Sequence, residues 1–273
     1  MKKKILFPLF TGTLLACFFL LYTLSSSLPQ EEMIVEKQIF SITETEKISL
    51  IALGNEDVPV GRYGKDILVA MSLWDDLEGK ISYASNVKEV LTQVELGSVD
   101  CGIVYRTDAN SSNKVEIIEI LDSNLLETPV IYPVSLLENS QHPLESACFL
   151  DFLGSKTARE VFTDYGFTVL GEEIQQDSII LDSCNLTIFA ASSLTESLSF
   201  ILEKFQEEHE GIEFLVNFDS SGTLATQIEY GATADIFLSA SNAEIIRLTE
   251  AGFLEETNSF SLLENEIVLI RGK

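Results

Sequence analysis

Histidine is nearly absent from this chain: His142 and His209 are the two in 273 residues. Neither lies beside a serine motif, so no Ser–His pair is available for nucleophilic catalysis, and a histidine-based metal centre is not expected. Cysteine is scarce as well. The four, Cys17, Cys101, Cys148 and Cys184, have spacings that fit no zinc or CxxC pattern. Cys101 lies in an apolar strand and Cys148 on an apolar helix face, which reads as buried structural thiols; a Cys148–Cys184 disulfide stays open. Positive charge is also short, with 17 Lys+Arg against 43 Asp+Glu and a net charge of −26. That imbalance argues against nucleic acid and anionic lipid as partners, and against capture of an anion by long-range attraction. An anionic ligand would have to be held by short-range dipoles in a screened pocket. The ordinary consequence of the acidity is solubility.

What is plentiful is apolar residue, 46% of the chain. That is ample for a real core in one large domain or two lobes. Lys2, Lys3 and Lys4 precede an apolar run over 5–24, the pattern of an export signal with the lysines inside. Residues 1–30 are therefore expected to be a signal peptide or membrane anchor, and 31–47 a spacer. Leu14-Leu15-Ala16-Cys17 resembles a lipobox, which makes Cys17 the lipidation candidate. The apolar stretch continues past Cys17 and is also about long enough to span a bilayer uncleaved. Either version leaves the rest of the chain extracytoplasmic and tethered through its N-terminus; cleavage after Ser25-Ser26-Ser27 would instead free it.

Periodicity then predicts strands at 48–53, 101–105, 115–120, 130–137, 186–190, 214–218, 234–239 and 266–270. Helices are predicted at 62–73, after Ser85-Asn86, at 144–153, 155–165, 193 onward, 221–230 and 243–251. Pro133 suggests an edge or crossover position for its strand. The alternation means an α/β protein with parallel sheets. Two segments stand out, Ala190-Ala191-Ser192-Ser193-Leu194-Thr195-Glu196 and Asp219-Ser220-Ser221-Gly222-Thr223-Leu224. Each falls where a strand runs into a helix. Ser193 and Ser221 read as N-caps, with Ser193 accepting from the N–H of Glu196. Each alone is an ordinary cap. Two together, at the carboxyl ends of neighbouring strands, point hydroxyls and free N–H groups at one spot and suit a small oxyanion.

Several segments together resemble the molybdate-binding protein of ABC transporters. The stretch from Phe189 to Thr195, the Asp219–Leu224 segment, and Gln227-Ile228-Glu229-Tyr230-Gly231-Ala232-Thr233-Ala234-Asp235-Ile236-Phe237-Leu238-Ser239-Ala240 are similar to that family's N-terminal half. Ala52-Leu53-Gly54-Asn55, Val58-Pro59-Val60-Gly61-Arg62-Tyr63, Asn86-Val87 and Gly102-Ile103-Val104-Tyr105-Arg106-Thr107-Asp108 are similar to its C-terminal half. Phe149-Leu150-Asp151-Phe152-Leu153 and Tyr165-Gly166-Phe167 resemble its ending. The resemblance covers nearly everything from residue 48 on, with the halves in reversed order, as in a circular permutant.

The resemblance implies a two-lobed, type II periplasmic-binding-protein-like α/β fold. The lobe over 48–128 would match the family's C-terminal half and the lobe over 129–273 its N-terminal half, with 171–185 as the linker joining the old termini. One covalent crossover would then join the lobes. It further implies oxyanion contacts from the hydroxyls of Ser193 and Ser221, the backbone N–H groups of Val60 and Val87, and the hydroxyl of Tyr105. None of the five is charged. A fully deprotonated tetrahedral dianion wants only donors, whereas phosphate keeps a proton and rewards an acceptor, so the set suits molybdate, tungstate or sulfate. Asp219 is an awkward neighbour, and local turn geometry is expected to turn it away. The implied function is an extracytoplasmic solute-binding subunit of an ABC importer, a monomer with no cofactor beyond its molybdate or tungstate ligand and a membrane permease as partner. A tethered oxyanion sensor, an enzyme on the same two-lobed fold, and a gene fragment are the alternatives.

Overall fold

A computed structural model describes residues 48–175 and 180–273; the export segment, Cys17 and the spacer lie outside them. Residues 48–273 form one compact unit built on two mixed sheets. In chain order the elements are β1 (Ile51–Gly54), α1 (Pro59–Ala70), α2 (Trp74–Leu77), β2 (Ile81–Ala84), α3 (Val87–Glu95), β3 (Cys101–Tyr105), α4 (Arg106–Asn110), β4 (Val115–Ile120), β5 (Ile131–Leu137), α5 (Pro143–Leu153), α6 (Lys156–Asp164), β6 (Thr168–Val169), β7 (Cys184–Ala191), α7 (Thr195–Glu208), β8 (Ile212–Asp219), α8 (Ser221–Glu229), β9 (Ile236–Leu238), α9 (Asn242–Glu250), β10 (Leu254–Glu264) and β11 (Ile267–Gly272). Short 3₁₀ turns fill three of the gaps, including Ser192–Leu194.

Lobe I carries the sheet β2-β1-β3-β11-β4 and lobe II the sheet β6-β10-β5-β9-β7-β8. The parallel strands β1, β2 and β3 are buried runs or sheet edges followed by helices, as the alternation predicts. Parallel pairing recurs where β7 meets β8 and β9. The expectation of parallel sheets is corrected at β5, β10 and β11, which pair antiparallel with their neighbours.

The C-terminal strand changes the lobe boundaries. β11 lies between β3 and β4, in lobe I. The reading of 129–273 as a contiguous lobe thus gives way at its last strand, and the chain crosses between lobes twice, after β4 and again between Glu264 and Ile267. Pro133 does not sit at an edge either: β5 runs between β10 and β9. The missing N–H is accommodated beside a register irregularity between Ser261 and Leu263, and the Pro133 carbonyl accepts the Ser239 N–H at 3.0 Å.

The first turn of α1 starts three residues earlier than its apolar stripe suggests because Pro59 supplies a pre-formed N1 position. For α3, Asn86 accepts the Glu89 N–H at 3.0 Å while the Glu89 carboxylate accepts the Ser85 N–H at 2.6 Å. Gly97, at φ +65°, ends that helix in the left-handed conformation. In α7 the stripe Leu198, Ile201, Leu202 and Phe205 is buried as its spacing dictates. Phe205 meets Phe149 and Phe152 edge-on at 5.1 and 5.2 Å in the core of lobe II.

Cys101, Cys148 and Cys184 are free thiols; the first two are buried and Cys184 is half-buried. Burial pushes the Cys101 thiol up to about 12, so it stays protonated and inert. No helix among the described residues is long and apolar enough to cross a membrane.

Candidate functional site

The five residues singled out in the sequence all emerge from carboxyl ends of parallel strands. β7 and β8 run in register from Cys184↔Ile212 to Ala191↔Asp219, so the Ser193 and Ser221 segments leave lobe II side by side. β1 and β2 run in register to Gly54↔Ala84, so the helices bearing Val60 and Val87 leave lobe I side by side, with Tyr105 ending the adjacent β3. All five are at most 5% exposed, which means that water has little access to them and their dipoles act at short range in low dielectric.

Contacts across the lobes join these two edges. The Gly222 N–H donates to the Asp57 carbonyl at 3.0 Å. Arg62 of α1 pairs with Glu244 of α9. Lys88 of α3 reaches Glu196 of α7 at 2.7 Å and Asp108 of α4 at 2.9 Å. Tyr105 and Tyr132 stack edge-to-face with centroids 5.6 Å apart. Asp108 is fully buried, and burial raises its carboxyl above the usual range despite the pull of Lys88. Burial by itself would lower Lys88; Asp108 and Glu196 together outweigh it and hold the ammonium above its ordinary value.

The serines do not act as the caps the sequence suggests. Ser220, not Ser221, caps α8, accepting the Thr223 N–H at 3.2 Å. The Ser221 hydroxyl oxygen instead accepts the Ala240 N–H at 2.9 Å, which leaves its proton to donate elsewhere. Ser193 sits in a 3₁₀ turn and makes no bond to the Glu196 N–H; its hydroxyl meets the Tyr132 hydroxyl at 3.0 Å. Tyr132 was not legible as a functional residue, because a tyrosine early in an apolar strand looks like core. Val60 and Val87 lie in the first turns of α1 and α3, where N–H groups have no acceptor four residues back. The Asp219 carboxylate is turned onto its own backbone and accepts the Ser220 N–H at 2.7 Å. The most telling atom is the Tyr105 hydroxyl: buried, and without any hydrogen-bond partner. Burial raises its pKa well above 10, so it is a phenol with a proton to give.

His142, Glu145 and Cys184, far apart in sequence, bring ligand atoms within 4.8 Å of one another, a grouping the sequence reading did not anticipate. It sits at the N-terminal, positive end of α5, where Glu145 already complements the helix dipole and a cation is disfavoured.

A family model described as bacterial extracellular solute-binding protein matches residues 36–168 and 186–272. The chain belongs to the bacterial extracellular solute-binding proteins. Such proteins bind a solute and are not enzymes; in ABC systems they work with a membrane permease. A Bacillus subtilis (strain 168) protein, YvgL, named as an ABC transporter substrate-binding lipoprotein, is 43% identical over 129 residues, 47% of this chain and 48% of that protein. The molybdate-binding protein ModA of Escherichia coli (strain K12) is 35% identical over 120 residues, 44% of this chain and 46% of ModA. The chain thus spans about half the length of the curated relatives it matches. A phosphate-binding protein of a Streptococcus pneumoniae phosphate ABC transporter superposes with a TM-score of 0.53 at 16% identity, covering 83% of this chain and 90% of that one. At that identity the likeness concerns the fold, the two-lobed periplasmic-binding-protein architecture of type II.

Proposed function

We propose that this solute-binding protein closes its lobes on a fully deprotonated tetrahedral oxyanion of the molybdate or tungstate type and presents the closed form to an ABC permease. The observation that carries this reading is the orphaned Tyr105 hydroxyl, at the end of the strand next to β1 and with its ring edge-on to Tyr132, which bonds Ser193. A buried phenol with no acceptor costs stability unless a ligand supplies one. Each of the five offers an uncharged donor, and Asp108, the buried carboxylate beside Tyr105, is paired with Lys88. The names of the ModA relatives support the choice of anion. The protein works as a monomer, without a cofactor, tethered at its N-terminus; the lipoprotein name of YvgL supports Cys17 as the attachment point.

We read the lobe order as a circular permutation. The family match is interrupted over 169–185, close to the expected linker, and the alignment to ModA covers less than half of either chain. The C-terminal return of β11 to lobe I restores the second crossover that a simple permutant would lack.

The test is calorimetric titration of the purified chain with molybdate, tungstate, sulfate and phosphate. Tight binding of the first two is expected, and no binding of either would refute the reading. Ser193→Ala and Ser221→Ala should each weaken molybdate binding by about 1–3 kcal/mol; unchanged affinity in both would remove the serines from the site. Tyr105→Phe should lower molybdate affinity by a similar 1–3 kcal/mol, roughly, and leave the melting temperature of the ligand-free protein close to that of wild type. Parallel thermal melts and titrations check both.

A further inference from the structure

We infer that Tyr132 is a positioning residue that fixes Ser193 as a donor and thereby sets which anions the site accepts. This rests on the oxyanion reading above. The orientation can be followed proton by proton. Asn265 lies at the second crossover, and its side-chain carbonyl accepts the Glu266 N–H at 2.9 Å. That fixes the amide, so its NH₂ group is the one facing Thr107 Oγ1 at 2.9 Å and Tyr132 Oη at 3.3 Å. Tyr132 Oη therefore accepts from Asn265. Its own proton has one hydroxyl acceptor among the described contacts, Ser193 Oγ at 3.0 Å. With Tyr132 donating, Ser193 must direct its proton elsewhere, and with no other acceptor for it among the described contacts it is available to a ligand.

The ring of Tyr132 is held independently of its hydroxyl. It is wedged edge-on between Tyr105 and Phe167, with centroids at 5.6 and 5.4 Å. The hydroxyl can thus be removed while the ring keeps its packing. Without it, Ser193 is free either to donate or to accept. A site that can accept tolerates a protonated anion, so the discrimination between molybdate and hydrogen phosphate narrows.

The experiment measures molybdate and phosphate affinities of the full chain for wild type, Tyr132→Phe and Phe167→Leu. Tyr132→Phe should lose about tenfold in molybdate affinity with little loss for phosphate, so that the molybdate-to-phosphate ratio falls about tenfold. Phe167→Leu, which disturbs the same ring and no hydrogen bond, should keep the wild-type ratio. A wild-type ratio in Tyr132→Phe, or an equal fall in Phe167→Leu, overturns the proposal. Should Tyr132→Phe fail to fold, Asn265→Leu removes the donor upstream, and the same ratio decides. Wild type that binds no oxyanion would instead refute the reading on which this rests.

Discussion

Replacing Lys88 by methionine is expected to destabilise the protein by about 3 kcal/mol or more at neutral pH, because a buried carboxylate loses the cation that pairs with it among the described residues. Asp108 has a fully buried side chain, while that of Lys88 is 25% exposed. The other partner of Lys88, Glu196, is 41% exposed and can turn to water at little cost, so the penalty falls on Asp108. The pH dependence identifies the group. Burial already holds the Asp108 carboxyl above its ordinary value, and loss of Lys88 raises it further. A group whose native pKa is raised adds stability below its unfolded value and loses it as pH climbs through the native one. The deficit of Lys88→Met should therefore be small in mild acid, where Asp108 is protonated and needs no cation, and should grow toward neutrality. Urea denaturation across that range measures it. A deficit that does not change with pH would mean that Asp108 is not the residue left unpaired.

The second large effect is expected at Gly222, on binding instead of stability. Gly222 is the second residue of α8, where alanine is compatible with the helix and favours it by up to about 1 kcal/mol. A Cβ there would meet the Asp57 carbonyl oxygen of the opposite lobe at 2.4 Å and its Cα at 2.9 Å. Both obstacles are backbone, so no rotamer change relieves them. The Gly222 N–H bond to the same carbonyl would be lost as well. Gly222→Ala is thus a wedge that acts only when the lobes close. It should leave the melting temperature of the ligand-free protein unchanged or higher, and weaken molybdate binding by about 2–4 kcal/mol, or about 30- to 1000-fold. Calorimetry reads the affinity, and small-angle scattering reads whether ligand still compacts the molecule. Wild-type affinity would show that closure does not bring Gly222 against Asp57.

Much of this was written locally. The run Cys101–Tyr105 declares itself by its continuous apolar character and is buried throughout, and the Leu198–Phe205 stripe by a helical period that places it in the core. The Ser193 and Ser221 segments were legible as strand-to-helix turns for the same reason. Their hydroxyl partners were not. Whether Ser220 or Ser221 caps α8 depends on one residue's backbone angle, and the Ser193–Tyr132 contact spans 61 positions. β10 was invisible because Glu255-Glu256-Thr257-Asn258-Ser259 shows no apolar alternation, and its pairing with β5 is broken by register shifts. The cross-lobe pairs of Lys88 with Glu196 and Arg62 with Glu244 join residues more than a hundred positions apart, and nothing local marks either partner. The placement of β11 is likewise a fact of topology: its apolar run says strand, but not which sheet.

That placement governs how the molecule can be made. β3 and β4 leave the ribosome long before β11, yet β11 is the strand that separates them. During synthesis and export the amino-terminal part of lobe I emerges with a gap in its sheet, unable to complete its pairing until the rest of the chain has followed. Lobe II can therefore pair its strands first, and the sheet of lobe I is completed only once β11 has followed.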